Sequence, residues 1–199
     1  MELRDLLDLS NVEINNIEQR FEEIAKHLFQ GYCIKKGNDQ YKLLEIEFYY
    51  YTKDFEDIIT YPRNVSSGKW FFHDSGVDIT FESKCTDTDC GCDKRKPNGD
   101  YFGGILIRSL LKNDKELITG PLKCSWALFD FIDAFVLEKE DLPLIVIMKM
   151  RNCQSLLQTV IFQLMRKKLK LGLVIILLLS LALKESLTVF TLNIRCGKI

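Results

Sequence analysis

The stretch 41–51, Tyr-Lys-Leu-Leu-Glu-Ile-Glu-Phe-Tyr-Tyr-Tyr, constrains the fold more than any other part of the chain. Aromatic and branched residues crowd it and neither Gly nor Pro interrupts it, so it reads as a strand. Side chains alternate between the two faces of a strand. Leu44, Ile46, Phe48 and Tyr50 then make a core face, and Leu43, Glu45, Glu47, Tyr49 and Tyr51 make the other. That second face sets two carboxylates beside two phenols in mid-strand. A carboxylate is costly in a packed interior unless it is paired or hydrogen-bonded, so the face is either solvated or a site. What stands opposite it decides between the two.

The flanking segments supply a scaffold. Ser10 and Glu13 have capping-box spacing, and Ile14, Ile17, Phe21, Ile24 and Leu28 recur at helical spacing up to Gly31, a natural C-terminal cap. A helix over about 11–30 is expected, with His27 a helix-end residue and not a ligand. Residues 32–34 read as a short strand and 36–39 as a turn. The stretch 52–62 is polar and irregular and holds Asp54, Glu56 and Asp57. Residues 70–72 and 77–81, joined by Asp74-Ser75-Gly76, read as a hairpin.

The stretch 103–110 is a further strand, in which Gly103 and Gly104 admit a close backbone or mark a bulge. Ile105, Ile107 and Ser109 share one of its faces, and Leu106, Arg108 and Leu110 the other. An Arg in so apolar a strand requires an anionic partner. Thr119-Gly120-Pro121 opens a helix to about 135. The expected fold is α+β: a curved, mostly antiparallel sheet with helices packed on it, in one domain over 1–141, followed by an apolar and basic tail over 142–199.

Charge separates these two parts. Residues 142–199 hold nine Lys and Arg against one acid, Glu185; with totals of 27 basic and 28 acidic residues, 1–141 carry 18 and 27. An acidic front attracts phosphates poorly over distance, which weighs against nucleic acid. Seven Cys, an odd count, and an N-terminus with acids but no apolar signal core point to a reducing, cytoplasmic compartment. Cys85, Cys90 and Cys92 form one cluster in the polar loop 84–101. Structural zinc needs two ligand pairs, and only His73 or Cys124 could come round to complete one, so surface thiols and no metal are expected. In the tail, 171–183 is an uncharged run of thirteen residues, short of the roughly 18–20 that span a bilayer. It is open to reading as a buried or interfacial helix that could touch a membrane, or as the product of a reading frame altered near 143–150.

Four segments in order resemble the alkyladenine (3-methyladenine, or methylpurine) DNA glycosylases: Glu45-Ile46-Glu47-Phe48-Tyr49, Ser75-Gly76-Val77-Asp78-Ile79-Thr80-Phe81, Ile105-Leu106-Ile107-Arg108-Ser109-Leu110, and Thr119-Gly120-Pro121-Leu122-Lys123 with Ala127-Leu128 beyond. The resemblance covers roughly 41–130. It implies base-excision repair of alkylated purines in duplex DNA, with no cofactor. Glu47 would be the general base that activates water and Arg108 would orient that water or a phosphate. Tyr49 would stack on the extruded base with Phe81 as a second aromatic, and Lys84 and Lys123 would touch DNA. The chain departs from the family in having no His over 54–61, and in reaching the Cys-rich loop near Lys84 where the family inserts a Tyr into DNA. Other functions open to the residues are a non-catalytic binding protein on the same fold, with Glu47 locked by Arg108, and a membrane-associated protein anchored through 171–183.

Overall fold

The computed structural model describes residues 2–55, 57, 59–86, 100–129 and 142–148. Helices α1 (Leu3–Leu6), α2 (Ile17–Gly31) and α3 (Pro121–Phe129) accompany strands β1 (Tyr32–Lys36), β2 (Asp39–Tyr51), β3 (Trp70–His73), β4 (Gly76–Thr80), β5 (Phe102–Lys112), β6 (Glu116–Thr119) and β7 (Leu144–Ile147). The fold is α+β, a curled antiparallel sheet with helices, as the sequence predicts. The strand order is β3-β4-β5-β2-β1-β7, and β6 pairs with the same β5 on a separate stretch. Asn113 and Asp114 turn β5 into β6 with φ of 50° and 57°, the left-handed geometry of a tight hairpin, in two residue types that tolerate it.

Helix α2 starts later than the spacing of Ser10 and Glu13 predicts. The Ser10 hydroxyl donates to Asp8 at 2.6 Å and caps nothing, and a 3₁₀ turn over Ile14–Asn16 leads into the helix. The apolar stripe is as expected: Ile17, Phe21, Ile24 and Leu28 are buried. Phe21 stacks on Phe48 from β2, with centroids 4.6 Å apart, and on Phe81 beyond β4 at 5.8 Å. These rings join Tyr50, Ile79, Ile105, Ile107 and Leu110 in one core under the helix.

The sheet takes up one strand beyond residue 141. Strand β7 pairs with β1 from Tyr32↔Ile147 to Lys35↔Leu144, and the Trp70 indole donates to the Pro143 carbonyl at 3.0 Å. Residues 144–147 therefore belong to the sheet. The stretch 171–183, the altered-frame reading of the tail and the expected helical turns beyond Phe129 lie outside the described residues. Among the described residues no helix is long and apolar enough to cross a membrane.

Candidate functional site

Two irregularities in the β2–β5 ladder create the site. Leu43 faces Leu110 and Glu45 faces Ser109, leaving Leu44 without an opposite number. Ile46 then faces Ile107, leaving out Arg108. One extra residue on each strand is a β-bulge, and each reverses the alternation of faces beyond it. The simple face assignment is corrected accordingly. Leu43 and not Leu44 lies in the core with Ile46, Phe48 and Tyr50, and Leu110 joins Ile105 and Ile107 there. Ser109 turns to the same side as Arg108, where its hydroxyl donates to Glu45 at 2.8 Å.

The same turn aims Arg108. Its Nη1 donates to Oε2 of Glu47 at 2.7 Å and its Nε lies 3.6 Å from Oε1 of Glu45. The Tyr49 phenol donates to the same Glu47 oxygen. Partial burial works against the Arg108 charge, but the hydrogen bond and the field of Glu47 outweigh it and raise the pKa. The Tyr49 phenol is also pushed up, first by burial and then by its bond to the Glu47 carboxylate. Glu47, Tyr49 and Arg108 thus meet on one face, and among the described residues none engages Oε1 of Glu47 by a hydrogen bond.

Register carries that face sideways. Glu47 faces Leu106, Leu106 faces Asp78, and Asp78 faces Phe71, so this row points one way across four strands. Asp78 is 1% exposed and has two partners: Nη1 of Arg63 at 2.8 Å on Oδ2 and Nε2 of His73 at 2.9 Å on Oδ1. The Ser75 amide lies 3.3 Å from Nδ1 of His73. Arg63 donates from Nε to the Tyr61 carbonyl at 3.1 Å and lies over the Phe71 ring, 3.8 Å from its centroid. Burial lowers the Arg63 pKa, and Asp78 opposes that.

Gly104 makes this arrangement fit, since a Cβ there would lie 2.8 Å from Nη1 of Arg63. At Gly103 a Cβ would fall on the Tyr49 carbonyl. The paired glycines therefore serve close approach, one of the two roles the sequence allowed.

A cavity of about 150 Å³ opens between Tyr49 and this charged group. Tyr61 and His73 stack at one wall with centroids 4.9 Å apart. Thr60 also lines the cavity; it is 2% exposed, and among the described residues its hydroxyl has no hydrogen-bond partner. Leaving a buried hydroxyl unpaired costs about 1–3 kcal/mol.

The remaining expected site residues are scattered. Phe81 is fully buried and stacks with Phe21 and Phe48, on the side of β2 opposite Tyr49. It is a core residue and not a second wall of the cavity, because the side chains of 48 and 49 leave the strand in opposite directions. Lys84 is exposed in an isolated bridge to Tyr101, and Lys123 is exposed on α3. Cys85 is buried with Tyr51 and Phe102; Cys90 and Cys92 lie outside the described residues.

Sequence reasoning missed Arg63, His73 and Asp78 as a group, and Thr60 and Tyr61 with them. One signal was present: Asp78 stands between Val77 and Ile79 in an apolar strand, and it demands a cation as Arg108 demands an anion. No family model, characterised protein or solved structure matches this chain.

Proposed function

We propose that the chain is a DNA glycosylase that hydrolyses the N-glycosidic bond of an alkylated purine in duplex DNA. The observation that carries this reading is the meeting of Glu47, Tyr49 and Arg108 on one sheet face, with a ring-walled cavity beside Tyr49. In this reading the extruded base enters the cavity against the Tyr49 ring, and aromatic stacking offsets part of the cost of extrusion. Glu47 takes a proton from a water whose oxygen bonds to the anomeric carbon. The C–N bond breaks and its electron pair leaves with the base. The carboxylate also stabilises the cation that develops on the sugar, and Arg108 holds the carboxylate in place. The test is release of alkylated purines from duplex DNA by the purified protein. Release that disappears in Glu47→Gln supports the reading, and a folded wild type that releases nothing overturns it.

One observation favours a second reading. Oε2 of Glu47 is held from two sides, by Tyr49 and by Arg108, as in a structural pair. In that case the protein is a binding module that uses the cavity without hydrolysis. Ligand binding that survives Glu47→Gln, in a wild type with no release activity, selects it.

A further inference from the structure

An apolar side chain stands in water at the mouth of the cavity, and we infer that this residue, Ile59, is the wedge that enters the duplex and fills the gap left by the extruded base. The inference deepens the glycosylase reading and rests on it.

Position comes first. Ile59, Phe72, Leu122, Trp126, Leu144 and Ile147 are the large hydrophobic side chains exposed among the described residues. Of these, Ile59 lines the cavity, together with Tyr49 and Tyr61. It is 54% exposed, so it stands at the rim, between the cavity and solvent. A base drawn into the cavity leaves an empty step in the stack just outside that rim. Ile59 is the apolar group that meets it.

Support comes next. The turn that carries Ile59 is pinned by Asp57, which is buried. Oδ1 of Asp57 accepts from the Ile59 amide at 3.2 Å, and the Asp57 carbonyl accepts from the Thr60 amide at 3.2 Å. Beyond the turn, the Tyr61 carbonyl accepts from Nε of Arg63, which ties the segment to the buried Arg63–Asp78 pair. A backbone held on both sides presents its outward side chain in a fixed direction. Isoleucine is also branched at Cβ and stiff about χ1, so it gives up little freedom on insertion.

The chemistry agrees. Apolar side chains, isoleucine among them, wedge between base steps. In the free protein Ile59 faces water; between two base faces it gains the burial it lacks. Extrusion costs stacking and pairing, and a wedge offsets part of that cost. Ile59 therefore acts on a base that must be pulled from a duplex, and not on one already unstacked.

Release of purines by the full chain from DNA treated with dimethyl sulfate, as duplex and as separated single strands, tests this. Ile59→Ala should lower release from duplex about tenfold, the worth of the apolar area removed, and leave release from single strands within about twofold. Ile59→Leu should restore release from duplex. The melting temperature of both variants should match wild type, since the side chain stands largely outside the core. Undiminished release from duplex by Ile59→Ala overturns the inference. Equal loss on both forms of DNA also overturns it, by making Ile59 a wall of the cavity. Either result leaves the glycosylase reading in place. A folded wild type that releases nothing from either form removes that reading and this inference with it.

Discussion

The Tyr49 phenol donates to Oε2 of Glu47, two residues back on the same strand. Residues i and i+2 share a strand face, so β2 alone fixes this pair, and its position in the sheet decides what else it meets. Tyr49 both hydrogen-bonds the acid and lines the cavity. Tyr49→Phe therefore separates two roles. It keeps the ring and removes the donor, so it should lower any purine release while leaving the affinity for a free purine base within about threefold, since the ring stack is retained. Parallel release and calorimetric measurements check it, and loss of binding with unchanged release would reverse the assignment.

High pH should destabilise the fold, with a definite sign. The phenols of Tyr49 and Tyr50 are raised from 10.0 mainly by burial, and the Cys124 thiol from 9.0 to about 12 for the same reason. A group raised in the folded state contributes stability below its unfolded pKa and loses it as pH climbs through the folded one. Stability from these groups should hold up to about pH 9 and fall above it. Urea denaturation at a series of pH values reads this directly. An increase in midpoint between pH 9 and 11 would contradict the burial of these side chains.

Arg63 and Asp78 are 3% and 1% exposed and depend on each other. Arg63→Met leaves the carboxylate buried without its main partner and should cost about 3–5 kcal/mol. Arg63→Met combined with Asp78→Leu should recover much of that loss, because removing both charges also removes the unpaired one. A double-mutant cycle by chemical denaturation tests it, with simple additivity as the opposing result.

Gly104→Ala should displace the Arg63 guanidinium, since the new methyl would lie 2.8 Å from Nη1 and 3.0 Å from Cβ of Asp78. The expected cost is about 1–3 kcal/mol, as in other overpacked interiors, together with weaker ligand binding through the disturbed cavity wall. An unchanged melting temperature would show that the guanidinium yields freely.

Phe81→Ala should behave as a core truncation and cost about 3–5 kcal/mol. Any purine release by the surviving folded fraction should match wild type. A selective loss of release at unchanged stability would return Phe81 to the cavity.

Much of the scaffold was legible because it follows from periodicity. The strand around Glu47, the hairpin through Ser75, and the stripe from Ile17 to Leu28 are each set by local spacing. The pairing of Glu47 with Arg108 was legible because an isolated charge in an apolar strand must find its opposite. Phe81 was misplaced because an aromatic in a hairpin strand serves a core and a pocket equally well until its face is known. Arg63 and Thr60 were invisible because they sit in an irregular stretch with no period, and what gives Arg63 a role is Asp78 across the sheet. Ser109 and Leu110 exchanged faces because a bulge leaves no mark on composition.

The extra residues at Leu44 and Arg108 cancel. Beyond both, the two strands regain the offset they had before, so neither length change is visible from the ends of the ladder. Deleting Leu44 alone would leave β5 kinked against a straight partner and drive Glu47 and Tyr49 toward the greasy interior, inverting half the sheet with one codon. Strands tied in this way can gain or lose a residue only as a couple, and a polar patch built over such a junction is inherited whole or destroyed whole.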